Sequence, residues 1–423
     1  MLTLKLLREN PDFVIERLAV KNFDAKEIVK GILEQDKLRR QYQTELDNTL
    51  AQQKLKAKEI GGLMKDGKKE EAEAAKADVA VLKSRSVELT RLMEESSKKQ
   101  NDLLVLLPNT PVAIVPLGKG AEDNLVVKTG GEMPSLAEDV LPHWELARKY
   151  DIIDFDLGVK LTGAGFPVYK GKGARLQRAL IDYFLDFNTK AGYLEIEPPI
   201  MVNADSGFGT GQLPDKEAQM YCATLDNFYM VPTAEVPVTN IYRDVILQPS
   251  DFPVKMTAYT PCFRREAGSY GKDVRGLNRL HQFDKVECVY LSLPDKSADA
   301  LDEMVAHVEK LVQSLELPYR ILRLCGGDMS FTSAITYDFE VYSAAQQRWL
   351  EVSSVSNFES FQANRLKLRY KDTDGKVQLA HTLNGSSLAL PRIVAALLEN
   401  NQTPDGIIMP EAIRPYTRFD KID

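Results

Sequence analysis

The chain has 423 residues, of which 44% are hydrophobic and 27% charged, so it is globular and long enough for two or three domains. A net charge of −7 gives no general attraction to nucleic acid, which excludes DNA as an expected partner and requires any RNA site to be a local basic patch. Four cysteines without CxxC spacing predict neither a disulfide framework nor a structural zinc site. The sequence shows no signal peptide and no apolar run of membrane-spanning length, and a cytoplasmic location is the default expectation.

The first quarter of the chain predicts two long helices. After a short helical segment, apolar residues recur at spacings of mostly four or five residues over 26–64 and again over 70–104. Gly61-Gly62 and the stretch 65–68 interrupt the pattern and predict a tight turn. Residues 1–107 are therefore expected to form an antiparallel coiled-coil arm of roughly 50–60 Å that projects from a body.

This arm has a weakly basic surface. Residues 26–100 carry 17 Lys and Arg against 14 Asp and Glu, in a chain that is acidic overall. Lysines cluster towards the predicted tip, and such a cluster either solvates a long helix or holds RNA phosphates. The candidates are Lys54, Lys56, Lys58, Lys65, Lys68 and Lys69.

A Pro- and Gly-rich stretch, residues 108–134, predicts a linker, and residues 135–423 are expected to form a second domain. Within that domain an amphipathic helix over 174–190 precedes a strand that ends at Pro198-Pro199, where proline favours a sheet edge. Further along, the helix expected over 301–317 carries His307, which is predicted to lie on the surface.

Residues 263–287, FRREAGSYGKDVRGLNRLHQFDKVE, predict two antiparallel strands joined by a glycine-containing loop. Strand alternation from residue 279 puts one set of residues on a shared face: Arg279, His281, Phe283, Lys285 and Glu287. Arg264 and Glu266 share a face on the incoming strand. Such faces suit an anionic, aromatic ligand that also carries a cation, whereas the alternative is a solvated hairpin of mixed charge.

Three further stretches contain polar groups in apolar or stiff surroundings. PTAEVP holds Thr233 and Glu235 between prolines, so that a carboxylate is available to an ammonium group. In LEVSSVSN, Glu351 and Ser354 would lie on opposite faces of a regular strand, and joint metal binding needs a bulge or a strand end there. HTLNGSSLALPRIVAALLENNQ predicts a strand, a turn at Asn384-Gly385 and a helix whose early Arg392 suits a phosphate.

Together these stretches closely resemble the seryl-tRNA synthetases of bacterial type, a class II family. The resemblance covers nearly the whole chain: motif 1 at about 175–199, motif 2 at about 260–288, motif 3 at about 381–399, the TAE loop and the arm. It implies an α+β fold with a mostly antiparallel catalytic sheet flanked by helices. It also implies a homodimer built on motif 1. Pro391 replaces a glycine that many members have, which a first helical turn tolerates.

The resemblance implies that the chain joins L-serine to tRNA(Ser), and also to tRNA(Sec), by way of seryl-adenylate, with ATP and Mg²⁺. Arg264 and Arg392 would carry the catalytic charge. The ATP site would comprise Arg264, Arg265, Glu266, Arg279, Leu280, Phe283, Glu351, Val352, Ser353, Ser354 and Arg392. The serine site would comprise Thr233, Ala234, Glu235, Arg264, Glu287, Asn384 and Ser386, and the metal ligands would be Glu351 and Ser354.

Two alternatives stay open at this point. A class II ligase for threonine or proline shares the three motifs, although it usually has a further anticodon-binding domain after motif 3. The other alternative is a coiled-coil scaffold that only binds RNA. Such a scaffold would not need the combination of Arg264, Glu266, Glu287, Glu351 and Arg392.

Overall fold

The computed structural model describes residues 1–135, 140–215, 218–266 and 275–423. These divide into two compact units, one of residues 2–19 and 23–108, the other of Met1, residues 20–22 and residues 109–423. The interior of the predicted motif 2 loop, residues 267–274, lies outside the described part. Within these ranges no helix combines the length and the apolar composition needed to cross a membrane.

The smaller unit is helical. Its helices are α1 (Leu4–Glu9), α2 (Pro11–Ala19), α3 (Lys26–Lys65) and α4 (Lys69–Leu104). The last two pack along each other as the predicted antiparallel hairpin, and the turn between them has Gly67 at φ 76°, a left-handed conformation that favours glycine. The expected break at Gly61-Gly62 is wrong, because α3 runs through both glycines to Lys65. Each glycine costs about 1 kcal/mol in a helix, and the continuous packing of the hairpin overrides that cost.

The larger unit holds the remaining helices and all of the strands. Its helices are α5 (His143–Lys149), α6 (Phe155–Leu161), α7 (Gly171–Lys190), α8 (Ala204–Thr210), α9 (Glu235–Asn240), α10 (Ser297–Ser314), α11 (Ser360–Leu366), α12 (Leu390–Asn400) and α13 (Arg414–Thr417). Its strands are β1 (Leu125–Gly130), β2 (Ile153–Asp154), β3 (Val168–Tyr169), β4 (Leu194–Glu195), β5 (Met201–Asn203), β6 (Cys222–Ala223), β7 (Phe228–Met230), β8 (Ile246–Leu247), β9 (Val254–Phe263), β10 (Gln282–Ser292), β11 (Tyr319–Arg323), β12 (Ile335–Ser343), β13 (Arg348–Asn357), β14 (Arg369–Lys371), β15 (Val377–Leu379), β16 (His381–Ala389), β17 (Gln402–Thr403), β18 (Gly406–Ile408) and β19 (Lys421–Ile422).

The main sheet has the order β1-β11-β12-β13-β16-β10-β9-β4 among the described residues. Every neighbouring pair is antiparallel except β4 and β9, so the mostly antiparallel sheet is confirmed. The motif 1 strand β4 lies at one edge and ends at Glu195, before Pro198-Pro199, where the sequence predicted its end. The other edge strand, β1, falls inside the stretch 108–134 that the sequence assigned to a linker. Proline and glycine in that stretch mark irregular backbone on either side of an apolar strand rather than a free connection.

One face of the main sheet is covered by α7, α10 and α12. Their apolar side chains, among them Phe184, Val308 and Leu397, pack on alternate strand residues such as Val286 and Phe339 to form the principal core. His307 on α10 belongs to this buried layer: its side chain is only 9% exposed, and its Nε2 lies 2.7 Å from Asn188 Oδ1. The surface position expected for it is wrong, because the apolar stripe of α10 is wider than the sequence suggested.

Two local expectations about the strands also fail. β10 begins at Gln282 and not at residue 279, because the His281 amide donates to the Gly165 carbonyl (2.9 Å) instead of continuing the ladder. Asn384-Gly385 forms no turn but lies in the middle of β16, where Gly385 pairs with Cys288 and Val355. A side chain at 385 would approach Val355 to 3.1 Å, so glycine serves close strand packing there.

Candidate active site

The face of the main sheet opposite the principal core carries polar side chains on its central strands. Strand alternation directs Asp338 of β12, Ser386 of β16 and Glu287 of β10 to this face. Loops and helix termini around the sheet then add Thr233, Arg264 and Arg392. Residues far apart in the sequence are thereby brought to the same side of the sheet.

The Glu287 carboxylate is the centre of a buried polar cluster. It is 1% exposed, and its Oε2 lies 2.6 Å from Lys285 Nζ. The same oxygen accepts hydrogen bonds from Ser386 Oγ at 3.1 Å and Thr233 Oγ1 at 3.4 Å. A buried carboxylate held by a cation and two hydroxyls has fixed partners, and it presents an acceptor to a small polar ligand.

A second carboxylate, Glu235, lies at the first position of α9 and is also buried. Its Oε1 accepts a hydrogen bond of 2.6 Å from Gln362 Nε2. Burial, and then repulsion by Glu287, raise the pKa of Glu235 to about 7. A ligand ammonium group would favour the ionised form, so this position is suited to the amino end of an amino acid.

The predicted motif 2 residues converge where β9 ends and β10 begins. The Arg264 guanidinium lies 5.3 Å from the centre of the Phe283 ring, and its Nε donates to the Pro232 carbonyl at 3.3 Å. Glu266 has a φ of 49° outside the strand and accepts a hydrogen bond of 2.9 Å from Arg279 Nη1. The sequence placed these residues on regular strand faces, whereas a turn of the backbone brings Glu266 and Arg279 together.

Arg392 lies in the first turn of α12, close to the end of β16. Its Nε donates to the Asn278 carbonyl at 3.1 Å, and its Nη1 donates to the Glu351 carbonyl at 2.7 Å. Glu351 Oε2 is 3.7 Å from the same Nη1. Arg392 is thus tied to two of the segments that carry the predicted ATP residues.

Strand β13 has the bulge that joint use of Glu351 and Ser354 requires. Glu340 pairs with Glu351 while the preceding Phe339 pairs with Ser353, so Val352 is the extra residue. In consequence Ser354 Oγ donates to Glu351 Oε1 at 3.4 Å, and both groups face the same side.

The side chains of Asp338, Glu351 and Ser354 are chemically suited to Mg²⁺. Asp338, paired with Ser354 across the strands, is buried, and its Oδ1 finds no hydrogen-bond partner among the described residues. Burial, and next the Glu351 carboxylate, raise the pKa of Asp338 well above its usual range. In the described part of the chain no three His, Cys, Asp or Glu side chains gather into a complete metal site. Two carboxylates and a hydroxyl fit a hard cation that takes its other ligands from phosphates and water.

Four residues of the predicted ATP site have side chains turned elsewhere. Val352 and Leu280 lie in the principal core, so only their backbone faces a ligand. Ser353 Oγ donates to the Ser386 carbonyl at 2.6 Å. Arg265 donates from Nε to the Met220 carbonyl at 3.1 Å and lies over the Tyr221 ring.

The remaining predicted serine-site residues lie beside the Glu287 cluster. Asn384 is two residues before Ser386 on β16 and shares its face, and Ala234 is the buried residue before α9. The sequence analysis placed Lys285 on the ligand face of its strand without a specific role and did not indicate Gln362 or Asp338. The structure adds all three residues to the site. Lys285 was recognisable from its alternation with Glu287, but the other two depend on strand register and helix packing.

The six candidate lysines of the helical hairpin are in a different environment. Two of them are held in ion pairs: Lys56 Nζ with Glu59 at 3.2 Å and Asp78 at 3.3 Å, and Lys68 Nζ with Glu71 at 3.4 Å. Lys54, Lys58, Lys65 and Lys69 have exposed side chains. Exposed lysines of this kind suit the phosphates of a nucleic-acid backbone rather than a small molecule.

Comparison with family models matches both parts of the chain. Residues 222–401 match the class II core domain of tRNA synthetases for G, H, P, S and T, and residues 1–111 match the seryl-tRNA synthetase N-terminal domain. The first model includes threonyl and prolyl enzymes, whereas the second is specific to the seryl type.

Similar proteins extend over the full length. The chain is 52% identical to the serine–tRNA ligase of Salinibacter ruber, with 100% of this chain and 99% of that protein aligned. It is 46% identical to the serine–tRNA ligase of Akkermansia muciniphila over the same shares. A crystal structure of seryl-tRNA synthetase from Pyrococcus horikoshii complexed with ATP superimposes with a TM-score of 0.94 at 32% identity, covering 100% of this chain and 99% of that one.

Proposed function

The chain belongs to the seryl-tRNA synthetase family, and from this premise we propose that it activates L-serine with ATP and transfers serine to tRNA(Ser). The same acceptor recognition extends to tRNA(Sec) in a cell that has this tRNA. We place the reaction in the cytoplasm. The observation that carries the choice of serine is the buried Glu287 carboxylate with Ser386 and Thr233 around it.

The first step is adenylate formation. An oxygen of the serine carboxylate forms a bond to the α-phosphorus of ATP, the bond from this phosphorus to the bridging oxygen of the β-phosphate breaks, and pyrophosphate leaves with the electron pair. The carboxylate is ionised near neutral pH, so no general base is needed. Positioning and neutralisation of charge therefore carry the step.

The side chains of the sheet provide that positioning. Arg264 faces the α-phosphate and the serine carboxylate, Phe283 stacks on adenine, and Glu266 with the backbone near Leu280 recognises the base. Arg279 and Arg392 bind the outer phosphates. Mg²⁺, when bound by Glu351 and Ser354, supplies positive charge to the phosphate oxygens. The cation–π distance of 5.3 Å between Arg264 and Phe283 supports the assignment of one shared nucleotide site.

The second step transfers serine. A hydroxyl of the 3′-terminal ribose of tRNA attacks the carbonyl carbon of seryl-adenylate, and the bond from this carbon to the phosphate oxygen breaks. AMP leaves, and the hydroxyl proton passes to its phosphate group. We assign recognition of tRNA to the helical hairpin of α3 and α4, through Lys54, Lys56, Lys58, Lys65, Lys68 and Lys69. The exposure of five of these lysines, all except Lys56, supports the assignment.

ATP–pyrophosphate exchange with each amino acid tests the proposed substrate. Serine is expected to support exchange, whereas alanine leaves the Glu287 cluster without its hydroxyl partner. A buried polar group left unpaired costs about 1–3 kcal/mol, which corresponds to a roughly 5- to 150-fold loss in kcat/KM. Threonine is excluded by its extra methyl group. Exchange with threonine equal to that with serine would contradict the seryl assignment and leave only a class II activity.

The enzyme is expected to act as a homodimer. Apolar side chains that follow α7 in the chain support this, since Leu194 is 63%, Ile200 38% and Met201 43% exposed in the single chain. Light scattering at micromolar concentration should give twice the chain mass of 47.5 kDa. A fully active monomer would contradict the dimer.

A further inference from the structure

A buried histidine and glutamate connect three segments next to the ATP site. His143, the first residue of α5, and Glu399, in the last turn of α12, are both completely buried. Glu399 Oε1 accepts hydrogen bonds from the His143 backbone amide at 3.0 Å and from Nδ1 at 2.7 Å. The other ring nitrogen, Nε2, accepts the Leu277 amide proton at 2.8 Å.

These contacts determine the protonation of the pair. The Leu277 amide is a donor, so Nε2 of His143 must be unprotonated, and Nδ1 then carries the proton that points to Glu399. Burial by itself raises the pKa of Glu399, but the hydrogen bonds from His143 and Ser343 outweigh it and bring this pKa below its usual range. The result is an imidazole ring fixed between a carboxylate and a backbone amide.

A second connection runs from Glu399 to Arg392. Gln346 Nε2 donates to Glu399 Oε1 at 3.0 Å, and Gln346 Oε1 accepts from Asn278 Nδ2 at 2.9 Å. The Asn278 carbonyl in turn accepts from Arg392 Nε at 3.1 Å. Arg392 and Glu399 are seven residues apart on α12, which places them on one helix face two turns apart. Residues 277 and 278 are therefore held at one end of that face by Glu399, through His143 and Gln346, and at the other end by Arg392.

The residues just before these two also dock on α5. Gly276 has a φ of 67°, and a β-carbon at this position would lie 2.2 Å from His143 Nε2. Arg275 lies over the Trp144 ring at 4.7 Å and is 3.6 Å from Glu145 Oε1. The backbone is thus packed directly against the histidine ring, and residue 276 has no room for a side chain.

We propose that His143 and Glu399 are positioning residues for ATP: they hold residues 275–280, and through Asn278 the Arg392 guanidinium, in the arrangement that receives the nucleotide. Neither residue touches a reactant. The inference rests on the proposed function, because the residues positioned are those assigned to ATP. It adds a role for the α5 segment, to which the proposed reaction assigns none.

Full-length His143→Leu and His143→Gln test the proposal. Leucine removes the acceptor for the Leu277 amide, and the KM for ATP should rise about 10- to 100-fold while the KM for serine changes less than about threefold. Glutamine offers a carbonyl acceptor to the same amide and should bring the KM for ATP back to within about threefold of the wild type. Hydrogen exchange of a peptide spanning residue 277, measured without ligand, should accelerate about tenfold in the leucine variant.

His307→Leu is the matched control, because His307 is a buried histidine whose hydrogen bond among the described residues is to Asn188 and not to residues 275–280. It should leave the KM for ATP unchanged. Should His143→Leu fail to fold, Gln346→Leu cuts the second connection, keeps the hydrogen bond from the Leu277 amide to His143, and is judged by the same ratio of KM values. Equal changes in the two KM values, unchanged hydrogen exchange at residue 277, or an ATP effect as large in His307→Leu would overturn the proposal. Absence of serine-dependent exchange in the wild type would instead overturn the proposed function.

Discussion

Charged residues are used differently in the Glu287 cluster and in the helical hairpin. Lys285 and Glu287 are 8% and 1% exposed and lie 2.6 Å apart. Lys56 and Asp78, which pair across α3 and α4 at 3.3 Å, are 36% and 60% exposed. Breaking a buried pair leaves an uncompensated charge, at a cost of about 3–5 kcal/mol, whereas exposed pairs are screened by water and salt.

The difference indicates two ways to bind a charged ligand. In the sheet a few buried groups, each with fixed partners, define the shape and charge of a small site, so one substitution should be decisive. On the hairpin the lysines act as a sum over many weak contacts, so single substitutions should have small effects. The predictions below test this division, beginning with the largest expected effect.

Replacing Arg264 with alanine should lower the rate of adenylate formation by about 10²- to 10³-fold, because it removes positive charge directed at the phosphate where negative charge develops. Pyrophosphate exchange measures this rate. Binding of tRNA, measured by filter retention, should stay unchanged. Arg264→Lys is the matched control, which keeps the charge but loses the planar guanidinium, and it should recover only part of the activity. A normal exchange rate in Arg264→Ala would contradict the assigned site.

Replacing residues 27–103 with a short glycine linker should have the opposite outcome. Every residue assigned to ATP or serine lies at or after Thr233, so pyrophosphate exchange should stay within about threefold of the wild type. Charging of tRNA should fall by about 100-fold or more, because phosphate contacts supply much of the affinity for nucleic acid. Loss of exchange in a variant that circular dichroism shows to be folded would contradict the division of roles.

The pH dependence of serine binding should follow Glu235, whose pKa burial and Glu287 raise to about 7. The ionised form binds the serine ammonium group, so the KM for serine should fall about tenfold from pH 6 to pH 8. Glu235→Gln should show a higher KM for serine without this pH dependence. The ratio of KM in the variant to KM in the wild type, taken at each pH, gives the effect of the Glu235 carboxylate. A wild-type KM for serine that is constant over this range would contradict the role of Glu235.

The free energy of unfolding should also depend on pH through the Glu235 carboxyl group. Its pKa of about 7 in the folded chain exceeds the ordinary value of 4.5, so the folded state binds the proton more tightly than the unfolded state does. The stabilisation is complete below pH 4.5 and is lost as the pH rises to about 7. Thermal unfolding of the wild type relative to Glu235→Gln should show this decline.

The helices of the hairpin could be predicted almost completely from the sequence, since their apolar spacing and the turn at Gly67 are local signals. The course of the chain around the sheet was less accessible. Gly385 looked like part of an Asn-Gly turn, but close packing with Val355 keeps it inside β16. The edge strand β1 was hidden in a stretch whose proline and glycine content suggested a linker. In both cases contacts distant in sequence decide the local structure.

The candidate site was predictable where side chains share one strand, as Lys285 and Glu287 do. The sequence also indicated that Glu351 and Ser354 can act together only if their strand has a bulge. The pairing of β12 and β13 has this bulge at Val352. It could not indicate Asp338, Gln362 or His143, because their relation to the site depends on strand pairing and helix packing. The roles of all these residues stay predictions until the variants are measured.

The smallest effects are expected from the lysines of the hairpin. Changing Lys54, Lys56, Lys65, Lys68 and Lys69 together to glutamine should weaken tRNA binding and flatten its dependence on salt. Each lost phosphate contact removes about one unit from the slope of log affinity against log salt concentration. Filter binding between 50 and 200 mM salt, roughly the range in which such contacts dominate, measures the slope.

The ion pairs on the hairpin sharpen this prediction further. Lys56 and Lys68 already have carboxylate partners, Glu59 and Asp78 for the first and Glu71 for the second. These acids compete with phosphate, so the double variant at 56 and 68 should change the slope less than the double variant at Lys65 and Lys69. Both variants should retain full pyrophosphate exchange. An unchanged slope in the fivefold variant, or a larger effect from the paired lysines than from Lys65 and Lys69, would contradict the binding of tRNA by these lysines.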